Sequence, residues 1–299
     1  MISVNIKAMS AFTRAIIIFN PNSTGDSETI AKEFCRDLRK LRPKAKVELQ
    51  ETTHAGHAEE LGYKLTKKHQ NLLLVSVSGD GGYHELVNGV MKAVNSGATT
   101  PICAVLPGGN ANDHHSFIVK RPLIEAISAD GLIKLDLLQV EATKPRYAHS
   151  YVGMGLTPSV AAKLNEHELS VLKETWLSFK TFWNLKPFRI IQNDKQVTLD
   201  SLILANIGIM AKYLTLDQDN SPRDGKFEVV RWPHKSKIRL ITQLLKSAVG
   251  KMESPKSVER FEFTTVAPMP IQLDGEIIKL KAKQHVTVTC AQNQLRTYR

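Results

Sequence analysis

The sequence has few cysteines and no long apolar run, and each absence excludes a class of protein. Its three cysteines, Cys35, Cys103 and Cys290, are far apart and show neither the paired spacing of a zinc site nor a disulfide framework. The compact apolar run from Ala15 to Phe19 is far shorter than the roughly 20 residues of a transmembrane helix. We therefore expect a protein of the reducing cytoplasm whose contact with any membrane is peripheral.

Acidic residues are outnumbered, with 29 Asp and Glu against 40 Lys and Arg and a formal net charge of +11. A positive surplus favours a polyanionic partner, such as an anionic bilayer, a phosphorylated ligand or nucleic acid. It is also compatible with an ordinary basic enzyme. Because the chain has no recognisable DNA-binding motif and does not interleave basic with aromatic residues, we predict no nucleic-acid partner.

The first part of the chain alternates strand-like and helix-like segments. Apolar runs typical of buried strands cover Ala15–Phe19, Leu72–Val77 and Ile102–Leu106, and Lys46–Gln50 is a further strand candidate. Helical spacing follows each of these segments except the last. Repeated strand-loop-helix units predict a parallel sheet that binds ligands at the carboxyl ends of its strands.

After about Asp136 the pattern changes to short strands joined by turn signals such as Asn193-Asp194 and Asp224-Gly225. Two helical stretches, roughly residues 158–185 and 236–249, interrupt them. We therefore predict an α/β protein with a parallel-sheet nucleotide-binding domain over residues 1–137. An antiparallel β-sandwich domain would follow over residues 138–299.

Two glycine-rich loops follow neighbouring strands of the predicted parallel sheet. The first is Ser78-Gly79-Asp80-Gly81-Gly82, and the second lies between Pro107 and Asp113. Glycines let the backbone approach a phosphate, and the amides at the start of a helix attract its charge. Neither loop has the P-loop or the dinucleotide pattern, and the protein-kinase motifs are absent. One such loop can be a plain connector, but two at adjacent strand ends predict a nucleotide site.

Short motifs run along nearly the whole chain in a fixed order. They are Asn20-Pro21-Asn22-Ser23-Thr24, Thr52-Thr53 with Gly56-His57-Ala58, Ser78–Glu85 with Val87-Asn88-Gly89, Pro107–Asp113, Asp136, Asn206, Asp224-Gly225 and Asp274-Gly275-Glu276. Together they resemble the NPxSG, TT…GDA, GGDGTxNE, PxGTxND and later elements of the diacylglycerol kinase catalytic family, which includes sphingosine and ceramide kinases. The chain departs from that pattern at Thr24, Ser78, Gly82, His84 and Asn110.

The resemblance implies an ATP-dependent lipid kinase that uses Mg²⁺. The implied nucleotide site comprises Asn20, Pro21, Asn22, Ser23, Thr24, Thr52, Ser78, Gly79, Asp80, Gly81, Gly82, Tyr83, His84, Glu85, Gly109, Asn110, Asn112 and Asp113. Within it, Asp80 and Asp113 would organise the phosphate loops and the Mg²⁺. Either Asp274 or Glu276, across an interdomain cleft, would accept the proton of the lipid hydroxyl.

The resemblance also implies a structural metal site, formed by Asp224 with backbone carbonyls near Ser221 and Lys226. Without the resemblance, Asp224-Gly225 is typical of an ordinary turn, and the Asp274-Gly275-Glu276 segment has the same plain interpretation.

The two later helical stretches bear on the expected partners, a lipid substrate and an anionic membrane surface. The first is rich in aromatic residues and fits the headgroup boundary, a roof over a lipid-tail pocket, or core packing on a sheet. The second has lysines around a leucine-rich face and fits either an anionic bilayer or a solvated charged surface. A homodimer stays an open option. Two rival functions also stay open: an enzyme similar to NAD kinase, and a catalytically decayed nucleotide or lipid sensor.

Overall fold

A computed structural model of the chain describes residues 11–23, 26–110, 112–155, 186–210, 214–215, 220–234 and 255–299. Thr24 and the two later helical stretches predicted from the sequence lie outside these ranges. No helix within the described ranges has the length and apolar character needed to cross a membrane.

The N-terminal part alternates strands and helices. Its elements are β1 (Arg14–Phe19), α1 (Ser27–Leu41), β2 (Lys46–Glu51), α2 (His57–Lys68), β3 (Leu72–Ser78), α3 (Asp80–Asn95), β4 (Ile102–Pro107), α4 (Asp113–Ile118) and α5 (Leu123–Ser128). The strands pair in parallel in the order β4-β3-β1-β2, as predicted. Apolar side chains bury both faces of this sheet, one face under α1 and α5 and the other under α2 and α3.

The C-terminal part consists mainly of strands. They are β5 (Leu132–Glu141), β6 (Arg146–Ala148), β7 (Tyr151–Gly155), β8 (Phe188–Gln192), β9 (Lys195–Ala205), β10 (Ile209–Met210), β11 (Leu214–Thr215), β12 (Phe227–Pro233), β13 (Lys256–Val258), β14 (Arg260–Thr265), β15 (Met269–Leu273), β16 (Glu276–Leu280) and β17 (His285–Tyr298). Pairing among these strands is antiparallel and encloses a separate apolar core. The predicted α/β class, parallel first and antiparallel later, is therefore confirmed.

Strand β17 is longer than its apolar pattern predicts. The sequence indicates a strand over Val286–Cys290, but β17 extends to Tyr298 through a register shift between Ala291 and Leu295. Its last part pairs in parallel with β4, at Arg296 opposite Ile102. The polar segment between Ala291 and Leu295 hides this continuation, because a bulge breaks the alternation from which a strand is recognised.

Helices α2 and α3 approach each other at backbone distance. A Cβ atom on Gly89 of α3 would lie 2.0 Å from the carbonyl oxygen of Glu59 in α2, and one on Gly62 would lie 2.7 Å from the carbonyl oxygen of Leu86. Because atoms cannot come this close, glycine is required at both positions. The contact fixes the position of α2 relative to α3. The candidate site lies at the first turn of α3.

Candidate active site

The two glycine-rich loops lie against each other at the carboxyl ends of β3 and β4. Gly108 donates its N–H to the carbonyl of Ser78 at 3.1 Å. A Cβ atom on Gly109 would lie 2.5 Å from the Cα atom of Gly79, so the chain has no room for a larger residue there. The hydroxyl of Ser23, in the loop after β1, donates to the carbonyl of Gly108. The loops therefore lie side by side, as the sequence predicts.

The first turn of α3 presents free amides at this edge of the sheet. The amide of Tyr83 donates to the carbonyl of Gly79 at 3.2 Å. For the amides of residues 79–82, the described part of the chain provides no acceptor, because a helix has no preceding turn at its start. These N–H groups and the helix dipole favour a bound anion.

Asp80 ties the second loop to the first. Its carboxylate oxygens accept the backbone N–H groups of Asp113 at 3.0 Å and His114 at 3.1 Å, so it caps the start of α4. The side chain of Asp113 is buried and is bonded to that of Tyr151. Asp80 thus connects the two loops, and Asp113 connects the start of α4 to β7. Their predicted roles toward the nucleotide and Mg²⁺ stay predictions.

Glu85 ties the loop between β2 and α2 to helix α3. Its carboxylate accepts the N–H of Gly56 at 2.9 Å and that of Ala58 at 3.2 Å. Gly56 has a φ of +84°, in the left-handed region that favours glycine. Helix α3 therefore positions two of the surrounding loops through carboxylates in its first two turns.

These loops enclose a cleft of about 490 Å³. It is lined by Ile18, Phe19, Asn20, Asn22, Ser23, Thr52, Thr53, His54, Ala55, Ala58, Ser76, Val77, Ser78, Gly79, Gly81, Gly82, Glu85 and Glu276. Of the predicted nucleotide ligands, nine are in this lining: Asn20, Asn22, Ser23, Thr52, Ser78, Gly79, Gly81, Gly82 and Glu85. Among the described lining residues, Glu276 alone comes from the C-terminal strands.

Several predicted nucleotide ligands have side chains that do not reach the cleft. Tyr83 is buried and its hydroxyl donates to the carbonyl of Cys103 at 3.2 Å, while His84 is fully buried beneath the loop. The amide group of Asn112 exchanges two hydrogen bonds with the backbone of Gly109, at 3.1 and 2.6 Å. These side chains shape the loops from behind, because Tyr83 and His84 lie on the buried side of α3 and Asn112 bonds within its own loop. Pro21 and Asn110 are also outside the lining.

Sequence reasoning omitted several lining residues, among them Thr53, His54 and Ser76. Thr53 and His54 directly follow β2, so their place at the carboxyl edge of the sheet was the available signal. The ring of His54 stacks on that of His57 with centroids 4.7 Å apart. Ser76 is a polar residue inside an apolar strand and its hydroxyl bonds that of Ser78 at 2.7 Å.

Asp274 is a buried carboxylate with four donors around it. Oδ1 accepts the N–H groups of Ser150 and Tyr151, and Oδ2 accepts the N–H of His149 together with the Nδ1 atom of His84, at distances of 2.8 to 3.1 Å. Burial would raise the pKa of Asp274, but the neighbouring His149 and the bond from His84 outweigh it and hold the pKa below its usual range. A carboxylate that already accepts four hydrogen bonds and has a low pKa is a poor proton acceptor.

Glu276 is exposed, in contrast to the buried Asp274 two residues before it. Asp274 and Gly275 form the tight turn between β15 and β16, with φ values of +49° and +105°. Glu276, the first residue of β16, is exposed and faces the cleft, where its Oε1 atom would lie 3.6 Å from a Cβ atom on Gly81. Its carboxylate therefore stands opposite the free amides of α3.

The loop predicted to bind a structural metal packs on Asp136. The N–H of Gly225 donates to the Asp136 carboxylate at 2.8 Å, and the Asp136 N–H donates to the carbonyl of Pro222 at 2.8 Å. Asp224 accepts the N–H of Lys226 at 2.9 Å, as in an ordinary Asx turn. Across the described ranges, no three side chains of His, Cys, Asp or Glu are grouped closely enough to hold a metal. Because the predicted site, Ser221, Asp224 and Lys226, relies on carbonyl oxygens, it stays a prediction.

Two further histidines pack beneath the cleft. The rings of His114 and His149 meet edge to face with centroids 4.4 Å apart, and both contact the ring of Tyr83. Burial and then the proximity of His149 hold the pKa of His114 well below its ordinary value of 6.5. His114 is therefore neutral at physiological pH.

Part of the chain is similar in sequence to known proteins. Residues 14–140 match the family described as "Diacylglycerol kinase catalytic domain". Sphingosine kinase 1 from Rattus norvegicus is 28% identical over 196 residues, which are 60% of this chain and 50% of the rat protein. The chain thus spans about half the length of this curated relative.

The fold is similar to that of solved bacterial proteins. A crystal structure of a diacylglycerol kinase from Bacillus anthracis has a TM-score of 0.68 at 15% identity, and a second structure from that organism, assigned to the same activity, has 0.72 at 17%. In each case the match covers 96% of this chain and 97% of the other. Over residues 14–140, the chain is therefore similar to the diacylglycerol kinase catalytic domain family.

Proposed function

We propose that the protein is an ATP-dependent lipid kinase that transfers the γ-phosphate of ATP to a lipid hydroxyl at a membrane surface. One observation carries this proposal: the free amides at the start of α3 form one wall of the cleft, and the exposed carboxylate of Glu276 faces them. An anion site opposite a free carboxylate is the arrangement that phosphoryl transfer to a hydroxyl requires.

The triphosphate would lie over the amides of residues 79–82, which have no acceptor among the described residues. The absence of side chains on Gly79, Gly81 and Gly82 lets phosphate oxygens approach the backbone. Phosphoryl transfer depends mainly on such positioning and on neutralisation of the charge.

The family implies Mg²⁺ as the partner of ATP, and the residues of the cleft fit this role. Mg²⁺ prefers oxygen ligands and is commonly held by one or two carboxylates together with phosphates and water. Asp80 lies between Gly79 and Gly81, which line the cleft, and its carboxylate retains lone pairs beyond its two backbone bonds. When bound, the ion would neutralise charge that develops on the phosphate oxygens.

Glu276 is the residue that we assign as the general base. A base must reach the proton that it removes and must have a free lone pair. Glu276 is exposed to the cleft, whereas Asp274 is buried and accepts four hydrogen bonds. Glu276 would accept the proton of the lipid hydroxyl as the hydroxyl oxygen attacks the γ-phosphorus, and ADP would leave on the opposite side.

A lipid acceptor is supported by the matched family, which is named for diacylglycerol, and by the relative named for sphingosine. We propose that the acceptor is a lipid with a free hydroxyl, such as a diacylglycerol or a sphingoid base. The positive net charge of +11 favours peripheral binding to an anionic bilayer on the cytoplasmic side. The structural metal at Asp224 would support the fold of the C-terminal strands.

The test is transfer of labelled γ-phosphate from ATP to the lipids of a total cell extract presented in anionic vesicles, with the product identified by mass. A phosphorylated lipid is expected with the wild type and far less of it with the Glu276→Gln variant. Phosphorylation of NAD instead of lipid would establish an enzyme similar to NAD kinase. ATP or lipid binding without any turnover would establish a decayed sensor and overturn the proposal.

A further inference from the structure

A buried histidine connects the phosphate-binding helix to the hairpin that carries Glu276. His84 lies in α3, one turn after Gly81, and its Nδ1 atom is 3.0 Å from Oδ2 of Asp274. Both side chains are 0% exposed, although 190 residues separate them. Such a buried pair links two distant parts of the chain at a defined distance.

The surroundings of His84 determine which ring nitrogen carries the hydrogen. The side-chain oxygen of Asn88 accepts the N–H of Tyr147 at 2.9 Å, and the Asn88 nitrogen donates to the Tyr147 carbonyl at 2.9 Å. The amide orientation of Asn88 is therefore fixed, and its nitrogen faces Nε2 of His84 at 3.2 Å. The hydrogens of that nitrogen are donated to the carbonyls of Tyr147 and His84, at 2.9 Å each, so it cannot accept a hydrogen from Nε2. An ionised carboxylate can only accept, so Nδ1 carries the hydrogen donated to Asp274.

The bond reaches the cleft through the turn between β15 and β16. Asp274 and Gly275 are both left-handed, and this two-residue turn leads directly to Glu276. The orientation of the Asp274 side chain therefore fixes where β16 begins. Glu276 faces Gly81, which precedes His84 by one turn of α3. Helix α3 therefore contacts the β15–β16 hairpin twice, through His84 at Asp274 and through Gly81 at Glu276.

We propose that His84 is a positioning residue which, acting through Asp274, holds Glu276 toward the bound phosphate. This inference rests on the proposed function. His84 itself does not touch the cleft, so it acts only on the geometry of the base. A shift of about 1 Å in a reacting group costs on the order of 100-fold in rate, which makes such positioning measurable.

The departure of His84 from the motif GGDGTxNE supports this role. That motif has asparagine at this position, and the amide nitrogen of asparagine is attached to Cγ, as Nδ1 of histidine is. Asparagine thus places a donor at the same point of the side chain. His84→Asn should retain the bond to Asp274, whereas His84→Leu removes the donor at a similar side-chain volume.

The experiment compares wild type, His84→Asn and His84→Leu by lipid phosphorylation and by hydrogen exchange. We expect His84→Leu to lower kcat about 10- to 100-fold with an unchanged KM for ATP, and His84→Asn to stay close to the wild type. Amide exchange at Gly275 and Glu276 should be faster in His84→Leu alone. In a Glu276→Gln background the effect of His84→Leu on turnover should disappear, since the base is already removed.

Equal losses with and without Glu276→Gln, or full activity of His84→Leu, would overturn the inference. If His84→Leu does not fold, His84→Gln serves instead, because it moves the donor by one methylene and should lower kcat in the same way. Failure of the wild type to phosphorylate any lipid would refute the proposed function, not the positioning. The hydrogen-exchange comparison would still decide whether His84 holds the turn.

Discussion

Replacing Asp274 should mainly affect stability and replacing Glu276 should affect turnover, although both residues belong to one acidic tripeptide. Asp274→Ala removes a buried carboxylate that four groups donate to, whereas Glu276→Gln changes an exposed side chain. We expect the first substitution to reduce stability and the second to reduce turnover alone. This contrast tests the assignment of the two roles directly.

The magnitude follows from the bonds that are lost. Asp274→Ala leaves three backbone N–H groups and the His84 ring without an acceptor in the interior. Each buried group left unsatisfied costs about 1–3 kcal/mol, and breaking a buried charged pair costs about 3–5 kcal/mol in total. Such a loss is a large part of the roughly 5–15 kcal/mol that stabilises a folded domain. Glu276→Gln, at an exposed position, should change stability by less than about 0.5 kcal/mol.

Urea unfolding followed by tryptophan fluorescence measures this difference, since Trp232 is buried in the C-terminal core. The midpoint of Asp274→Ala should fall with an unchanged slope, and that of Glu276→Gln should match the wild type. A folded Asp274→Ala variant within about 0.5 kcal/mol of the wild type would mean that the four buried bonds contribute little to stability, and it would contradict our assignment.

Three other perturbations test the supports of the cleft. Gly89→Ala should destabilise the protein by about 1–3 kcal/mol in thermal or urea unfolding, because the new Cβ atom would lie 2.0 Å from the Glu59 carbonyl; a stable variant would contradict the close helix contact. Asp80→Ala should raise the Kd for ATP in a calorimetric titration and loosen α4, since its carboxylate caps that helix; unchanged ATP binding would refute this. The depressed pKa of His114 means that the unfolded state binds more protons below about pH 6.5. Stability should therefore be complete above that pH and fall on acidification, by up to about 1.4 kcal/mol per pH unit, and His114→Asn should make the dependence shallower.

The sequence was sufficient to predict the parallel part of the fold and the meeting of the two glycine-rich loops. Apolar runs identify β1, β3 and β4, and parallel strands bring the segments at their carboxyl ends to one edge. Both results depend on local pattern and on a general rule of topology. They require no knowledge of which distant side chains meet.

The division of roles within the acidic tripeptide could not be predicted in the same way. Asp274 and Glu276 are two residues apart, and which of them faces the cleft depends on the turn conformation and on donors in β7 and α3. The partner of His84 lies 190 residues away, a distance at which residue spacing carries no information. Long-range polar contacts of this kind follow from packing and must be seen in the structure.

The most direct test of the account is single-turnover phosphate transfer by Glu276→Gln, measured together with its equilibrium binding of ATP. We predict that ATP binds with the wild-type Kd, because the amides at the start of α3 are intact. Transfer to the lipid should fall about 100- to 10,000-fold, the usual contribution of a general base. Transfer at the wild-type rate, or loss of ATP binding together with transfer, would contradict the proposed division between the phosphate-binding wall and the opposing base.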